Sequence, residues 1–294
     1  MHAAAKKQQS ALQRYTHWRA LQAQRPTPLM LVVVISACVI RWADVHFGYA
    51  WVRALFPQNS GALPAVIAEL VSLLWYVLPI AGVVCILHGR QNVWSELGLA
   101  GTVWKAVGYA FAFSFPMLLW YAWTGKAVEI SAVPLLVLAQ LRAAFREEVF
   151  YRAFLFGQLF RHGRWGFIPA AGLNAMVFAS SHLYQATSLL EGAAIFAVTF
   201  VGAAWFAWLY VAWGYSVWLP VGLHFFMNVW WELFRIGETA FSGSFGAELT
   251  RVLTVGASVA WTVWSVRRRG AQLLPPGSLW WRNRDGGNNT NAPA

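Results

Sequence analysis

Charge is scarce in this sequence: Asp, Glu, Lys and Arg make up 11% of 294 residues, against 59% hydrophobic ones and a mean hydropathy of +0.49. So few charges cannot clothe the surface of a water-soluble domain, which excludes that class and leaves a polytopic membrane protein. Cysteine is nearly absent too. Cys38 and Cys85 lie in apolar runs without any CxxC or Cys/His spacing, which excludes a disulfide framework and a cysteine metal site and leaves them as packing residues. HExxH, the helical pair of histidines flanking a base, is missing. No internal repeat, direct or inverted, supports a transporter fold, and the in-span prolines Pro79, Pro116, Pro134, Pro169 and Pro220 show no two-fold symmetry.

What is present is a series of apolar runs at 29–50, 62–87, 106–124, 132–160, 167–184, 189–212, 215–234 and 246–266. Each is near or above the ~20 residues a helix needs to cross a bilayer. The expected fold is therefore all-α, a bundle of about eight transmembrane helices over 29–266, between a basic tail at 1–28 and a partly disordered tail at 267–294. Residues 1–28 are polar and basic with no short apolar core before a small-residue site, so the first run is expected to serve as its own insertion signal.

The net charge of +11 could suggest nucleic acid, but the cations sit in the tails and on one set of loops. An eight-span layout collects fourteen Lys and Arg on the side of the termini against four opposite, Arg53, Lys126, Arg235 and Arg251. By the positive-inside rule both ends are cytoplasmic, in a multi-pass protein of the bacterial plasma membrane, and nucleic acid is not a partner. Residues 91–104 are too polar to span and are expected on the cytoplasmic surface, touching it with Trp94, Leu97, Leu99 and Trp104.

The remaining charges lie inside spans. An ionised side chain at mid-bilayer costs on the order of 3 kcal/mol on the insertion scale, so Arg146, Glu147, Glu148 and Arg152 must face protein or water. Helical spacing pairs Glu148 with Arg152 four residues on, and leaves Glu147 about 100° away and unpaired, near Tyr151. Candidate partners for that leftover carboxylate come from other spans: Phe178 with His182, and His224 with Asn228, each pair on one helical face. Of seven histidines only these two are mid-span. In the first two spans, Arg41 and Glu69 fall at similar depth and are expected to pair, with Asp44 as the rival partner.

Glu147-Glu148-x-x-x-Arg152, Phe178-x-x-x-His182 and His224-x-x-x-Asn228, in this order on separate spans, resemble the three motifs of the CAAX prenyl endopeptidase family of intramembrane proteases. The resemblance covers about 130–234 and extends to the Glu96-Leu97-Gly98-Leu99 segment. It implies an endopeptidase acting on a membrane-associated protein or peptide. Glu147 would activate a water with help from His182, His224 and Asn228 would stabilise the oxyanion, and Arg152 would hold Glu148. Local pairing alone leaves open which glutamate is the base. The family's metallo label would make Glu147, His182 and His224 ligands were zinc present, but the missing HExxH favours a metal-free mechanism with no cofactor. The competing classes are a membrane transporter, since buried Glu and His also build proton relays, and a non-catalytic scaffold or bacteriocin-immunity protein.

Overall fold

The computed structural model describes residues 27–56, 61–239 and 242–280, so most of the basic N-terminal tail and the last fourteen residues lie outside it. Among the described residues the chain is helical throughout, without strands. Helix α1 (Thr27–Ala43) passes through a wide π turn (Asp44–Gly48) into α2 (Tyr49–Leu55), and α3 (Ala62–His88) returns. The short α4 (Val93–Glu96) leads to α5 (Val103–Thr124). Then α6 (Val133–Glu147), a π-helical stretch (Glu148–Phe156) and α7 (Gly157–Arg161) follow without a break. The chain continues through α8 (Phe167–Ser180), α9 (Leu189–Ala212), α10 (Trp218–Leu233) and α11 (Phe245–Arg268).

Among the described residues, five stretches are long and apolar enough to cross a membrane: Pro28–Gly48, Ala62–His88, Val103–Thr124, Leu189–Ala212 and Phe245–Arg268. Their outward faces are apolar, with Ile86, Leu63 and Val201 at 84%, 70% and 66% exposure. That is the pattern of a bundle solvated by lipid, and the protein is an integral membrane helical bundle. The other three expected spans are helical but differ in kind. Residues 133–161 carry six charged side chains, and α8 and α10 have only 14 and 16 residues, less than a full crossing.

The short helices form the centre. Every residue from Glu148 to Phe156 is buried. Around this stretch pack α1, α3, α8 and α9, while α10 lies along α5 and α6. A fully enclosed helix has no lipid-facing side and can hold polar groups if they find partners, which is where the charges concentrate. A π segment inside an α-helix is also a frequent mark of a functional site.

Chain ends of these elements are tied down by backbone bonds. Gly98 closes the surface segment at φ +67, in a left-handed turn so close to Tyr215 that a Cβ would lie 2.4 Å from its carbonyl oxygen. Its own carbonyl accepts from the Val217 amide at 3.1 Å, which seats the start of α10. The amides of Phe167 and Ile168, unsatisfied by their own helix, donate to Ser278 and Leu279. The described part of the C-terminal tail is thus docked on α8. Within residues 91–104, Trp94 and Trp104 project outward as expected, whereas Leu97 is buried beneath the bundle's end.

The expected Arg41–Glu69 pair does not form. Arg41 Nη1 lies 3.1 Å from Asp44, three residues along its own helix, and Glu69 is held by Arg142 from α6. Arg146 also reaches Asp44, at 3.4 Å. Similar depth does not decide the pairing: Arg142 on a third helix takes Glu69, and Asp44, the rival partner, takes Arg41.

Candidate active site

Glu147 ends α6 and Glu148 begins the π segment, so the two carboxylates diverge into different surroundings. Glu148 is wholly buried, with Oε2 at 2.9 Å from Arg152 Nε. The contact is close in distance but not aligned as a hydrogen bond, and the three guanidinium nitrogens, also fully buried, find no hydrogen-bond acceptor. Instead the guanidinium is caged by rings, 4.7 Å from the centroid of Phe178 and 5.1 Å from that of Phe206. An arginine loses less hydration energy in such a cage than a lysine would, since its weakly hydrated plane stacks on aromatic faces. Phe178, singled out in the sequence for its spacing to His182, thereby has a role of its own.

His224, on the second turn of α10, inserts between the two glutamates. Its Nδ1 is 2.7 Å from Glu148 Oε1, and its Nε2 is 3.8 Å from Glu147 Oε2. An ionised carboxylate only accepts, so Nδ1 carries the hydrogen and the ring is oriented by Glu148. The buried Glu147 Oε2 has no hydrogen-bond partner in the protein, although the side chain as a whole keeps 20% exposure.

His182 sits just beyond α8, in the turn before α9. Its Nδ1 donates to the Phe178 carbonyl at 2.9 Å, with Ser181 Oγ at 3.4 Å, which leaves Nε2 with its lone pair. Ser181 also accepts from the Tyr151 hydroxyl at 3.4 Å, linking the turn to the π segment. Asn228, one turn beyond His224, donates from Nδ2 to Gln140 Oε1 at 3.2 Å, and the amide's second hydrogen stays available.

Glu147, Glu148, Arg152 and His224 are thus joined by direct contacts and His182 meets them through Phe178, whereas Asn228 is held by Gln140, on the helix that ends at Glu147. Three side chains escaped the sequence reading: Gln140, Ser181 and Phe206. Gln140 had a signal, since it lies seven residues before Glu147 on the same helical face; Ser181 and Phe206 had none.

Two histidines with Nδ1–H fixed and Nε2 free are the usual preparation for metal ligation. Yet among the described residues the one His/Asp/Glu group whose ligand atoms all lie within 4.8 Å of one another is His88, Glu96 and His162, not Glu147, His182 and His224. As arranged, Glu147, His182 and His224 do not converge on one ion.

Residues 129–230, about a third of the chain, match the family model described as Type II CAAX prenyl endopeptidase Rce1-like. All three sequence motifs fall inside this match. No curated protein and no solved structure matches the chain.

Proposed function

We propose, for a chain that is of the CAAX-protease type over residues 129–230, that it is an intramembrane endopeptidase working by a glutamate-activated water. The observation that carries the reading is His224 suspended between Glu148, which faces Arg152, and Glu147, whose buried Oε2 has no hydrogen-bond partner.

Glu147 is the general base in this reading. Glu148 is committed to Arg152 and His224, whereas Glu147 Oε2 is a buried acceptor without a protein partner and on a partly accessible side chain, which suits it to hold a water. His182 Nε2 supplies a second acceptor for the same water. Glu147 takes a proton from the water as its oxygen bonds to the scissile carbonyl carbon. The resulting tetrahedral oxyanion accepts from Asn228 Nδ2 and from His224 Nε2. With Nδ1–H committed to Glu148, His224 donates to the oxyanion when Nε2 also carries a hydrogen. Collapse breaks the C–N bond, and Glu147 returns its proton to the leaving amine. Fixed donors in a dry layer need no reorganisation as charge develops, which is the main source of acceleration in such sites.

The substrate is a membrane-anchored protein or peptide, since the catalytic layer is enclosed by lipid-facing helices, and both termini are cytoplasmic by the charge distribution. A transporter would need the same residues to carry protons without hydrolysis. Reconstituted protein presented with a lipid-anchored reporter peptide library separates the two: the endopeptidase yields new peptide termini that vanish in Glu147→Gln and His182→Ala. Failure of wild-type protein to cleave any member, with proton flux that depends on Glu147, favours the carrier.

A further inference from the structure

At the other end of the α6–α7 helix, 15 residues beyond Glu147 and thus roughly 20 Å away along its axis, lies a second polar cluster. His88 is the last residue of α3, Glu96 the last of α4, and His162 directly follows α7. The chain returns to bring them together: Gly89, at φ +86, ends α3, and the turn at 90–92 delivers Glu96 against His162. One nitrogen of each imidazole and one carboxylate oxygen all lie within 4.8 Å of one another, and the two rings are 4.5 Å apart between centroids.

The surroundings resemble the outer shell of a metal centre. Gln158, wholly buried, holds His88 Nε2 with its Oε1 at 2.6 Å, while its own Nε2 has no partner. An amide carbonyl that takes the hydrogen of one imidazole nitrogen leaves the other nitrogen as a ligand. Arg161 donates to the Glu96 backbone carbonyl at 3.1 Å and approaches Oε2 at 3.0 Å, orienting the carboxylate that also meets His162 Nε2 at 2.8 Å.

We infer that His88, Glu96 and His162 form a divalent transition-metal site, with zinc as the fitting ion, separate from the catalytic layer. Two imidazoles and a carboxylate suit zinc, whereas magnesium and calcium want mostly oxygen ligands. The ion would clip the end of α3 and the surface segment to the end of α7. It would therefore fix the base of the helix that carries Glu147, without touching the chemistry.

The test uses full-length protein purified in detergent through a tag without histidine, stripped with chelator and titrated with zinc or with cobalt as a spectroscopic probe. One metal per chain is expected, with a tetrahedral-type cobalt spectrum and a rise in the unfolding midpoint on zinc addition. His88→Ala and His162→Ala should each weaken binding roughly 100-fold and abolish the rise. His88 is only half-buried at a helix end, so its variant keeps the test usable if His162→Ala misfolds. The inference is overturned if stripped protein takes up no zinc at micromolar concentration. It is equally overturned if binding survives in His88→Ala, or if binding is lost in His182→Ala instead, which would assign the metal to the catalytic layer.

Discussion

Arg152 is the largest fully buried side chain among the described residues, and replacing it with methionine tests the electrostatic core of the site. The change keeps much of the side chain's volume and its packing against Phe178 and Phe206, but leaves Glu148 charged with only His224 beside it. Removing one partner of a buried pair costs about 3–5 kcal/mol, because the other charge stays desolvated and uncompensated. Nothing at 0% exposure can be rescued by solvent. In Glu148→Gln, Arg152→Met the uncompensated charges disappear together, and the double variant should lie within about 2 kcal/mol of wild type in stability. Its cleavage should nonetheless stay impaired, since a neutral amide orients His224 less firmly than a carboxylate. Reversible unfolding in mixed micelles, followed by tryptophan fluorescence, gives the four corners of the double-mutant cycle. A single-variant cost under about 1 kcal/mol, or a double variant as damaged as the sum of its singles, would refute the coupling.

Glu147→Gln should abolish cleavage while leaving the folded yield intact, because Oε2 has no protein partner to lose; His182→Ala should come close to the same loss, as measured by single-turnover cleavage. His224→Ala or Asn228→Ala should each lower turnover by about 10²–10³, the usual effect of removing an oxyanion donor, and Gln140→Ala, which only positions Asn228, should cost less. Exhaustive chelation should lower the unfolding midpoint yet leave turnover at low temperature unchanged, and chelator-sensitive turnover at that temperature would overturn the metal-free mechanism. Exchanging Gly98 for alanine should destabilise the fold through its left-handed backbone and the 2.4 Å approach to the Tyr215 carbonyl oxygen, visible as reduced monodisperse yield.

Interactions within one helix were legible from the sequence, and those between helices mostly were not. Glu148 and Arg152 could be paired from their spacing, and the structure brings them to 2.9 Å even though a π segment replaces the assumed α-helix there. Hydropathy located α9 to its terminal residues, because its run is long and carries one charge only, Glu191 in the first turn. It could not tell that α8 and α10 stop short of a full crossing, since their apolar runs continue into turns. Arg41 and Glu69 were matched by depth alone, and depth does not say which helices are neighbours: α6 supplied Arg142 to Glu69, and the π turn supplied Asp44 to Arg41. His88, Glu96 and His162 were passed over for the same reason. Each sits at a span end or in a loop, and only the return of residues 89–98 beneath the bundle brings them together.

Quantitative mapping of protein termini in membranes from cells expressing wild-type protein or Glu147→Gln, matched for folded amount, reads out hydrolysis by the buried carboxylate. Peptide-bond cleavages in membrane-anchored proteins should appear with wild type and disappear with the single carboxylate-to-amide change. Identical sets of termini in the two membranes, from cells in which the chain's substrate is present, would contradict it.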